Sequence, residues 1–219
     1  MILIKPSYEI MTQIDRVAIL KKIELCGRVC YKSEEKITED SAIKFVENIK
    51  GRKHFSVLEH EIITIKFICD RGVSHELVRH RIASFSQEST RYCNYSKDKF
   101  GNQLTFIIPE WCFLVSGKYI KNIEQPAYDM RIDDSQKLWV DSMYKSEEYY
   151  LELLKLGWTP QQARSVLPNS IKTEIVITAN LREWQHIFSL RCDYAAHPQM
   201  RELMLPLQKE LQEKLPEIF

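Results

Sequence analysis

The sequence predicts an α+β fold arranged as one domain over residues 1–219. Residues 61–68 (EIITIKFI) alternate apolar and polar side chains with a period of two, which is typical of a β-strand. Residues 172–179 (KTEIVITA) are rich in β-branched side chains and predict a second strand. Most other segments carry helical spacing, without a regular alternation of strands and helices, so we expect a mixed fold and no linker.

The N-terminal half predicts three helices around the first strand. Spaced apolar residues predict helices over 9–31 and 41–49, the second ended by Gly51, and a further helix over roughly 72–85. The polar run SQESTRYCNYS that follows, residues 86–96, is expected to be a loop.

Capping residues mark the helices of the C-terminal half. Thr159 precedes Pro160, with Gln162 at the third helical position, and Pro168 ends that short helix. Asn180 caps a helix that runs to about residue 191 in the same way. The other predicted elements are a long helix over 134–156 ended by Gly157, an amphipathic helix over 198–214, and the least regular stretch, 97–133.

Composition narrows the class of partner. Apolar residues make up 44%, charged residues 28%, and the formal net charge is +1, so no global field attracts nucleic acid or a membrane. No apolar run approaches the roughly 18 residues of a membrane span, and the N-terminus does not resemble a signal peptide. The six cysteines form no C-x-x-C pair, so we expect reduced thiols in a cytoplasmic protein; the pair Cys26 and Cys30, one helical turn apart, leaves a metal clip as the alternative.

Chemistry-bearing residues concentrate in residues 79–92, where three arginines, a histidine and three serines lie close together. On the predicted helix, Arg79–Arg81 would spread over more than half the circumference and could not serve one small pocket. Two ligands, or a ligand and another subunit, would explain this arrangement. A solvated basic face is the alternative, although Glu76 and Glu88 are the only acids close in sequence.

Guanidinium groups suit phosphate, which accepts two parallel hydrogen bonds from them. Hydroxyl groups such as that of Ser89 add donors to the same phosphate. A nucleoside monophosphate is therefore an expected ligand of this segment.

A zinc site is not expected. The segment from His75 to His80 resembles the motif H-E-x-x-H with one residue added. On a helix, side chains five residues apart point about 140° apart, so the two histidines could not share one ion.

The same segment resembles the signature of flavin-dependent thymidylate synthases, in which R-H-R is followed after two residues by Ser, after four by Ser and after one by Arg. The matching positions are Arg79, His80, Arg81, Ser84, Ser89 and Arg91. Further segments are similar to the family in the same order along the chain. They are His54–His60, Ala163–Pro168, Asn180–Arg182 and Arg191.

This resemblance implies an α+β homotetramer with active sites at subunit interfaces. It implies reductive methylation of dUMP to dTMP, with methylenetetrahydrofolate as the carbon donor and FAD, reduced by NADPH, as the hydride donor. The resemblance also implies that Arg191 lies at the pyrimidine ring. A fixed cation there would favour ionisation of the ring nitrogen and so act in catalysis.

The resemblance further implies two sets of binding residues. Those expected to hold FAD are His54, Ser56, Arg79, His80, Arg81, Gln87, Asn180, Leu181, Arg182 and His186. Those expected to hold dUMP are Glu76, Leu77, Val78, Arg79, Gln87, Glu88, Ser89, Thr90, Arg91, Arg164 and Arg191. Arg182 and His186 lie four residues apart and would share a helix face, whereas Arg191 would diverge from His186.

The chain departs from the common family pattern at five positions, each with surface or packing roles as the alternative. They are Glu76, Ser86, Gln87, His186 and Ala195, the last with His197 close by.

Two other mechanisms and two other classes of protein stay open. One class is the metal hydrolase that the segment from His75 to His80 resembles, which we expect to fail on the spacing of its histidines. Cys93 or Ser89 could serve as a nucleophile, although neither has an assigned base. An RNA-binding module could use the arginines with Tyr92 and Tyr95 as stacking aromatics, against which the near-neutral charge argues.

Overall fold

The computed structural model describes residues 1–120 and 132–219, which form a mixture of helices and strands that confirms the α+β prediction. The helices are α1 (Arg16–Val29), α2 (Ser41–Gly51), α3 (Arg71–Leu77), α4 (Asp134–Lys155), α5 (Pro160–Ala163), α6 (Leu181–Arg191) and α7 (Pro198–Lys214). The strands are β1 (Ile2–Ile4), β2 (Ser7–Ile10), β3 (Ile62–Asp70), β4 (Ala83–Gln87), β5 (Thr105–Ile107), β6 (Gly117–Lys118) and β7 (Lys172–Asn180).

The strands form two sheets. The smaller has the order β5-β1-β6, with β1 parallel to β5 and antiparallel to β6. The larger has the order β2-β3-β7-β4. Its two inner strands are those predicted from the sequence, and alternate residues of β7 are buried, as the period of two requires.

The chain divides into two compact units. Unit 1 comprises Met1–Ser7, Phe67–Arg79 and Ser86–Ile175, and unit 2 comprises Tyr8–Lys66, His80–Phe85 and Val176–Phe219. The core of unit 1 gathers side chains such as Phe106 and Tyr150. In unit 2, the fully buried Trp184 donates a 3.0 Å hydrogen bond from its indole nitrogen to the carbonyl oxygen of Ile63. The expectation of one domain stays a prediction.

Capping residues begin the C-terminal helices as predicted. The backbone N–H of Thr159 donates to Oε1 of Gln162 at 2.9 Å, and Pro160 opens α5. Gly157 follows α4 with φ of +94°, a conformation that glycine adopts without strain. The predictions of α2, α4, α6 and α7 are confirmed to within a few residues.

The predicted helix over 9–31 is wrong at its beginning, since β2 precedes α1. The backbone N–H of Met11 donates to the carbonyl oxygen of Thr64, which holds this segment against β3. The helix starts only after Asp15, whose carboxylate accepts from the N–H of Ala18 at 3.0 Å.

The predicted helix over 72–85 is also wrong. Helix α3 ends at Leu77, and β4 begins at Ala83 and continues through Gln87, which was predicted to lie in a loop. Within β4, Ser84 and Ser86 are exposed, whereas Ala83, Phe85 and Gln87 are half-buried. This alternation suits a strand, and polar residues occupy the positions that a longer helix would have to bury.

Short strands interrupt the stretch predicted as least regular, because β5 and β6 fall within 97–120. Residues 121–131 of that stretch lie outside the described residues. In the part of the chain that the structure describes, no helix combines the length and the apolar character needed to cross a bilayer.

Candidate functional site

Strand β7 passes directly into α6, and this junction places four polar side chains on unit 2. Asn180 is the last residue of the strand, and its Oδ1 accepts a 2.8 Å hydrogen bond from the N–H of Glu183. Leu181 is fully buried and anchors the first turn, and its backbone N–H donates to the carbonyl oxygen of Glu61 at 3.0 Å; its contact with FAD stays a prediction. Helix α6 thereby presents Arg182, Glu183, His186 and Arg191 in a fixed frame.

His80 meets three of these side chains. Its Nε2 lies 3.0 Å from Nε of Arg191, and its Nδ1 lies 3.4 Å from Oε1 of Glu183. The ring of His186 stands edge-on, with ring centroids 5.8 Å apart and the planes at 77°. We refer to His80, Glu183, His186 and Arg191 as the His80 cluster.

Burial makes the imidazole of His80 neutral. The residue is 5% exposed, and burial, followed by the charges of Arg191 and His186, lowers the pKa of His80 to about 4. Burial also raises the pKa of Glu183, opposed by His186. Because His80 contacts Arg191 in its neutral form, it does not compete with the guanidinium as a second cation.

The arginines on either side of His80 are arranged differently from the sequence prediction. They do not lie on a helix, since α3 ends before them, so the argument from helix circumference does not apply. Arg79 and Arg81 are exposed whereas His80 is buried, in a turn between α3 and β4 in which the N–H of Arg79 donates to the carbonyl oxygen of Glu76. Arg91 is also exposed, with its guanidinium 5.4 Å from the ring centroid of Tyr92.

A cavity of about 420 Å³ in unit 2, which we call the His54 pocket, collects three residues expected to bind FAD: His54, Ser56 and Arg182. Nδ1 of His54 lies 3.0 Å from the hydroxyl of Tyr31, which also lines the cavity. Arg182 is paired with Glu59 at 2.5 Å.

Close packing of two helices forms one wall of the His54 pocket. Gly27 of α1 lines the cavity, and a Cβ atom added there would lie 2.6 Å from ring carbons of Phe45 on α2. The guanidinium of Arg28 lies 4.7 Å from the centroid of the same ring and holds it in place.

A second cavity, of about 410 Å³ in unit 1, contains Arg164 and Thr90, both expected to bind dUMP. Nη1 of Arg164 donates to Oγ1 of Thr90 at 3.3 Å. We call this cavity the Arg164 pocket. Arg71 also lines it, and Nη1 of Arg71 donates to the carbonyl oxygen of Glu88 at 3.3 Å. Its other polar lining residues are His75, Gln161, Ser165 and Asn169.

Several residues expected to bind ligands are engaged in packing within unit 1. Nε2 of Gln87 donates to Oγ of Ser74 at 2.8 Å and to Oγ1 of Thr173 at 3.2 Å. The carboxylate of Glu88 pairs with Lys172 at 2.9 Å. The side chain of Leu77 is fully buried.

The remaining expected dUMP contacts lie at or near the surface of unit 1. Val78 is 39% exposed, and Glu76 and Ser89 are half-buried. Oγ of Ser89 accepts from the N–H of Arg91 at 3.3 Å, which orders the loop after β4. These assignments stay predictions.

Three residues of the His80 cluster also have the composition of a metal site, since ligand atoms of His80, Glu183 and His186 lie within 4.8 Å of one another. Two imidazoles and a carboxylate can bind zinc. The guanidinium of Arg191 at 3.0 Å from His80 opposes a divalent cation there, because the two positive charges repel. His75 lies on α3 and His80 lies beyond its end, so the angle between side chains on one helix does not describe this pair; the absence of a metal stays a prediction.

Sequence reasoning missed Arg71, Tyr31 and Lys53, which line the two pockets. Arg71 directly follows Asp70, whose carboxylate caps α3 by accepting from the N–H of Val73 at 2.7 Å. The sequence signal for Arg71 was its position directly after Asp70, which ends a strand and caps the next helix. Nothing local to Tyr31 marks it, because its place in the pocket depends on the packing of α1.

Comparisons with known proteins show the family of the chain. A family model described as thymidylate synthase complementing protein matches residues 14–217. A flavin-dependent thymidylate synthase of Pyrococcus abyssi is 35% identical over 180 residues, covering 82% of this chain and 66% of the relative. The Pyrococcus furiosus enzyme is 33% identical, covering 86% and 70%, and the Geobacter sulfurreducens enzyme is 30% identical, covering 90% and 79%. The chain therefore belongs to the flavin-dependent thymidylate synthase family.

Proposed function

We propose that this chain methylates dUMP to dTMP, using methylenetetrahydrofolate as the carbon donor and NADPH-reduced FAD as the hydride donor. The observation that carries this proposal is the contact between Arg191 and a neutral, buried imidazole. A guanidinium held in this way keeps its full positive charge in one position. Such a preorganised cation can stabilise the negative charge that develops on a pyrimidine ring during methyl transfer.

The His54 pocket fits part of a dinucleotide cofactor. Lys53 and Arg182 supply cations for a pyrophosphate, and Ser56 supplies a hydroxyl donor. His54, oriented by Tyr31, adds a polar ring. When bound, FAD supplies the hydride, while these residues hold and orient it.

The Arg164 pocket fits the phosphate of dUMP. Arg71 and Arg164 contact only neutral oxygens in the hydrogen bonds described above, so their charges are available to a dianion. Ser165 and Gln161 add neutral donors. Arg91 and Ser89, on the loop after β4, are proposed to contact the same nucleotide.

Self-association to a homotetramer with shared active sites is part of the proposal. Trp111, Phe113 and Val115 are 52%, 43% and 50% exposed, whereas Cys112 and Leu114 between them are buried. The apolar outer face of this segment supports burial against another subunit. Light scattering should give four chains per particle, and Phe113→Glu should lower that number; a monomeric wild type would contradict this part of the proposal.

The activity is tested by purifying the protein and measuring flavin absorption, dUMP-dependent NADPH oxidation and dTMP formation. We expect a yellow protein that forms dTMP only with all substrates present. A colourless protein that cannot be reconstituted with FAD would contradict the proposal. If such a protein bound RNA or contained stoichiometric zinc, one of the alternative functions would be favoured.

A further inference from the structure

The imidazole of His80 lies between Glu183 and Arg191 on unit 2, with one ring nitrogen near each. The carboxylate lies 3.4 Å from one ring nitrogen of His80, and the guanidinium lies 3.0 Å from the other. His80 and Glu183 are 5% and 6% exposed, so water competes little for these contacts. The ring therefore connects a buried carboxylate with the guanidinium proposed to act on the pyrimidine.

The donor pattern assigns the tautomer of His80. A guanidinium carries only hydrogen-bond donors, so Nε2 of His80 must be unprotonated to accept from Nε of Arg191. In a neutral imidazole the proton then resides on Nδ1, which faces the carboxylate of Glu183. The lowered pKa of His80, caused first by burial, agrees with a neutral ring.

Glu183 is held in position by the start of α6. It occupies the third helical position, where a capping-box carboxylate would turn back toward the cap. Its backbone N–H is fixed by Asn180 at 2.8 Å, while Oε1 lies near His80. His186, the other titratable group beside the ring, is exposed and approaches with its ring edge.

We propose that Glu183 is a positioning residue, whose carboxylate fixes the Nδ1–H tautomer of His80 so that Nε2 holds Arg191 in place for the pyrimidine. This inference rests on the proposed function, in which Arg191 is the catalytic residue. Without the carboxylate, the tautomer with the proton on Nε2 becomes accessible. That tautomer sets an N–H against the N–H of Arg191, so Nε2 no longer accepts from the guanidinium.

The kinetic test compares Glu183→Gln with the wild-type holoenzyme. The amide can accept from or donate to Nδ1, so it permits both tautomers while keeping the size of the side chain. We expect kcat to fall about tenfold, a loss confined to the transition state, with flavin content and KM for dUMP nearly unchanged. Glu183→Asp keeps a carboxylate and should recover part of kcat.

Arg191→Lys tests whether Glu183 acts through Arg191. Lysine keeps the charge but lacks the guanidinium Nε–H, so Glu183→Gln should lower kcat by less than about twofold in that background, because the two changes interrupt one chain of contacts. If Glu183→Gln lowered kcat by the same factor in the wild type and in Arg191→Lys, the proposal would be overturned.

Glu217→Gln is the matched control. The Glu217 side chain is 6% exposed and paired with Arg16, against 8% for the Glu183 side chain, so it reports the general cost of neutralising a buried carboxylate. Its kcat should equal that of the wild type. If both glutamine variants reduced kcat equally, the effect of Glu183 would be on stability alone and the proposal would fail.

A spectroscopic measurement separates this inference from the proposed function. Nitrogen NMR of protein labelled at histidine reports which ring nitrogen of His80 carries the proton, whatever reaction the enzyme catalyses. We expect Nδ1–H in the wild type and a mixture in Glu183→Gln. A wild-type proton on Nε2 would overturn the inference, whereas absence of dTMP formation with the expected tautomer would overturn the proposed function alone.

Discussion

The His54 pocket and the Arg164 pocket are nearly equal in volume but differ in how their arginines are compensated. In the His54 pocket, Arg182 already pairs with Glu59 at 2.5 Å. In the Arg164 pocket, Arg71 and Arg164 donate to a carbonyl and a hydroxyl oxygen, and the lining residues that the structure describes include no acid. The second pocket therefore carries the greater positive charge for its size.

This difference matches the two proposed ligands. The pyrophosphate of FAD is one part of a large molecule, so many contacts share its binding energy and a partly neutralised arginine suffices. The phosphate of dUMP is the main charged group of a small ligand. An uncompensated pair of guanidinium groups is better suited to hold it.

The largest effect is expected from a cation that lines neither pocket. Arg191→Ala should lower kcat about 100- to 1,000-fold, the typical cost of removing a preorganised group that stabilises developing charge. FAD content should change little, because the His54 pocket stays intact. Single-turnover kinetics with prereduced enzyme measures this, and undiminished turnover would reject the role of Arg191.

Arg164→Ala tests the more strongly charged pocket. Loss of one charge-assisted hydrogen bond should weaken dUMP binding by about 1.5–3 kcal/mol, while FAD binding stays at its wild-type value. Calorimetric titration with dUMP and flavin fluorescence measure the two affinities. Equal weakening of both ligands would contradict the separation of the pockets.

Arg182→Ala tests the compensated pocket and should have a smaller effect, about 1 kcal/mol on FAD binding, with dUMP affinity unchanged.

Glu59→Gln sharpens the comparison, because it removes the acid that competes with the pyrophosphate for Arg182. We expect it to strengthen FAD binding by severalfold at most, since exposed ion pairs contribute little. Weaker FAD binding in Glu59→Gln would show that the ion pair serves to orient Arg182.

Lowering the pH tests the His80 cluster independently of the two pockets. The pKa of His80 is lowered from 6.5 to about 4 in the folded protein, so the unfolded chain binds a proton first as the pH falls. The stability contributed by neutral His80 is complete above pH 6.5 and is lost between pH 6.5 and 4. Urea unfolding across this range should show that the free energy of unfolding depends less on pH in His80→Gln than in the wild type. An NMR titration should show that His80 is neutral at pH 6. A titration midpoint near 6.5 for His80 would contradict this prediction.

Cys93→Ser should have the smallest effect, less than about twofold on kcat. Burial, followed by the charge of Glu88, raises the pKa of the Cys93 thiol, which disfavours a nucleophilic thiolate. Initial rates of dTMP formation measure the change. Complete loss of activity with normal flavin content would restore the cysteine mechanism.

Two junctions between a strand and a helix show what the sequence could and could not predict. Asn180 and Asp70 each end a strand and cap the next helix. The first helix was predicted correctly because buried side chains such as Trp184 and Phe188 recur along the whole of α6. The helix after Asp70 was predicted to run too far. Val73 and Leu77 start a helical pattern, but the polar residues after Leu77 do not continue it.

The candidate site could be predicted in composition but not in its contacts. The arginines and histidines were identified because their family motif is local in sequence. The contact of His80 with Glu183 and Arg191 joins residues more than 100 positions apart. Such contacts follow from the order of strands in the sheet, which spacing along one chain does not specify.

The close approach at Gly27 has a consequence for inhibitor design. A compound that occupied the His54 pocket and packed against this glycine would contact a position that has no side chain. Resistance usually arises when a larger side chain intrudes on a bound drug. Here even a methyl group would have to displace the Phe45 ring, which the guanidinium of Arg28 also contacts. A resistance substitution at Gly27 would therefore disturb the packing of α1 against α2, on which the fold of unit 2 depends.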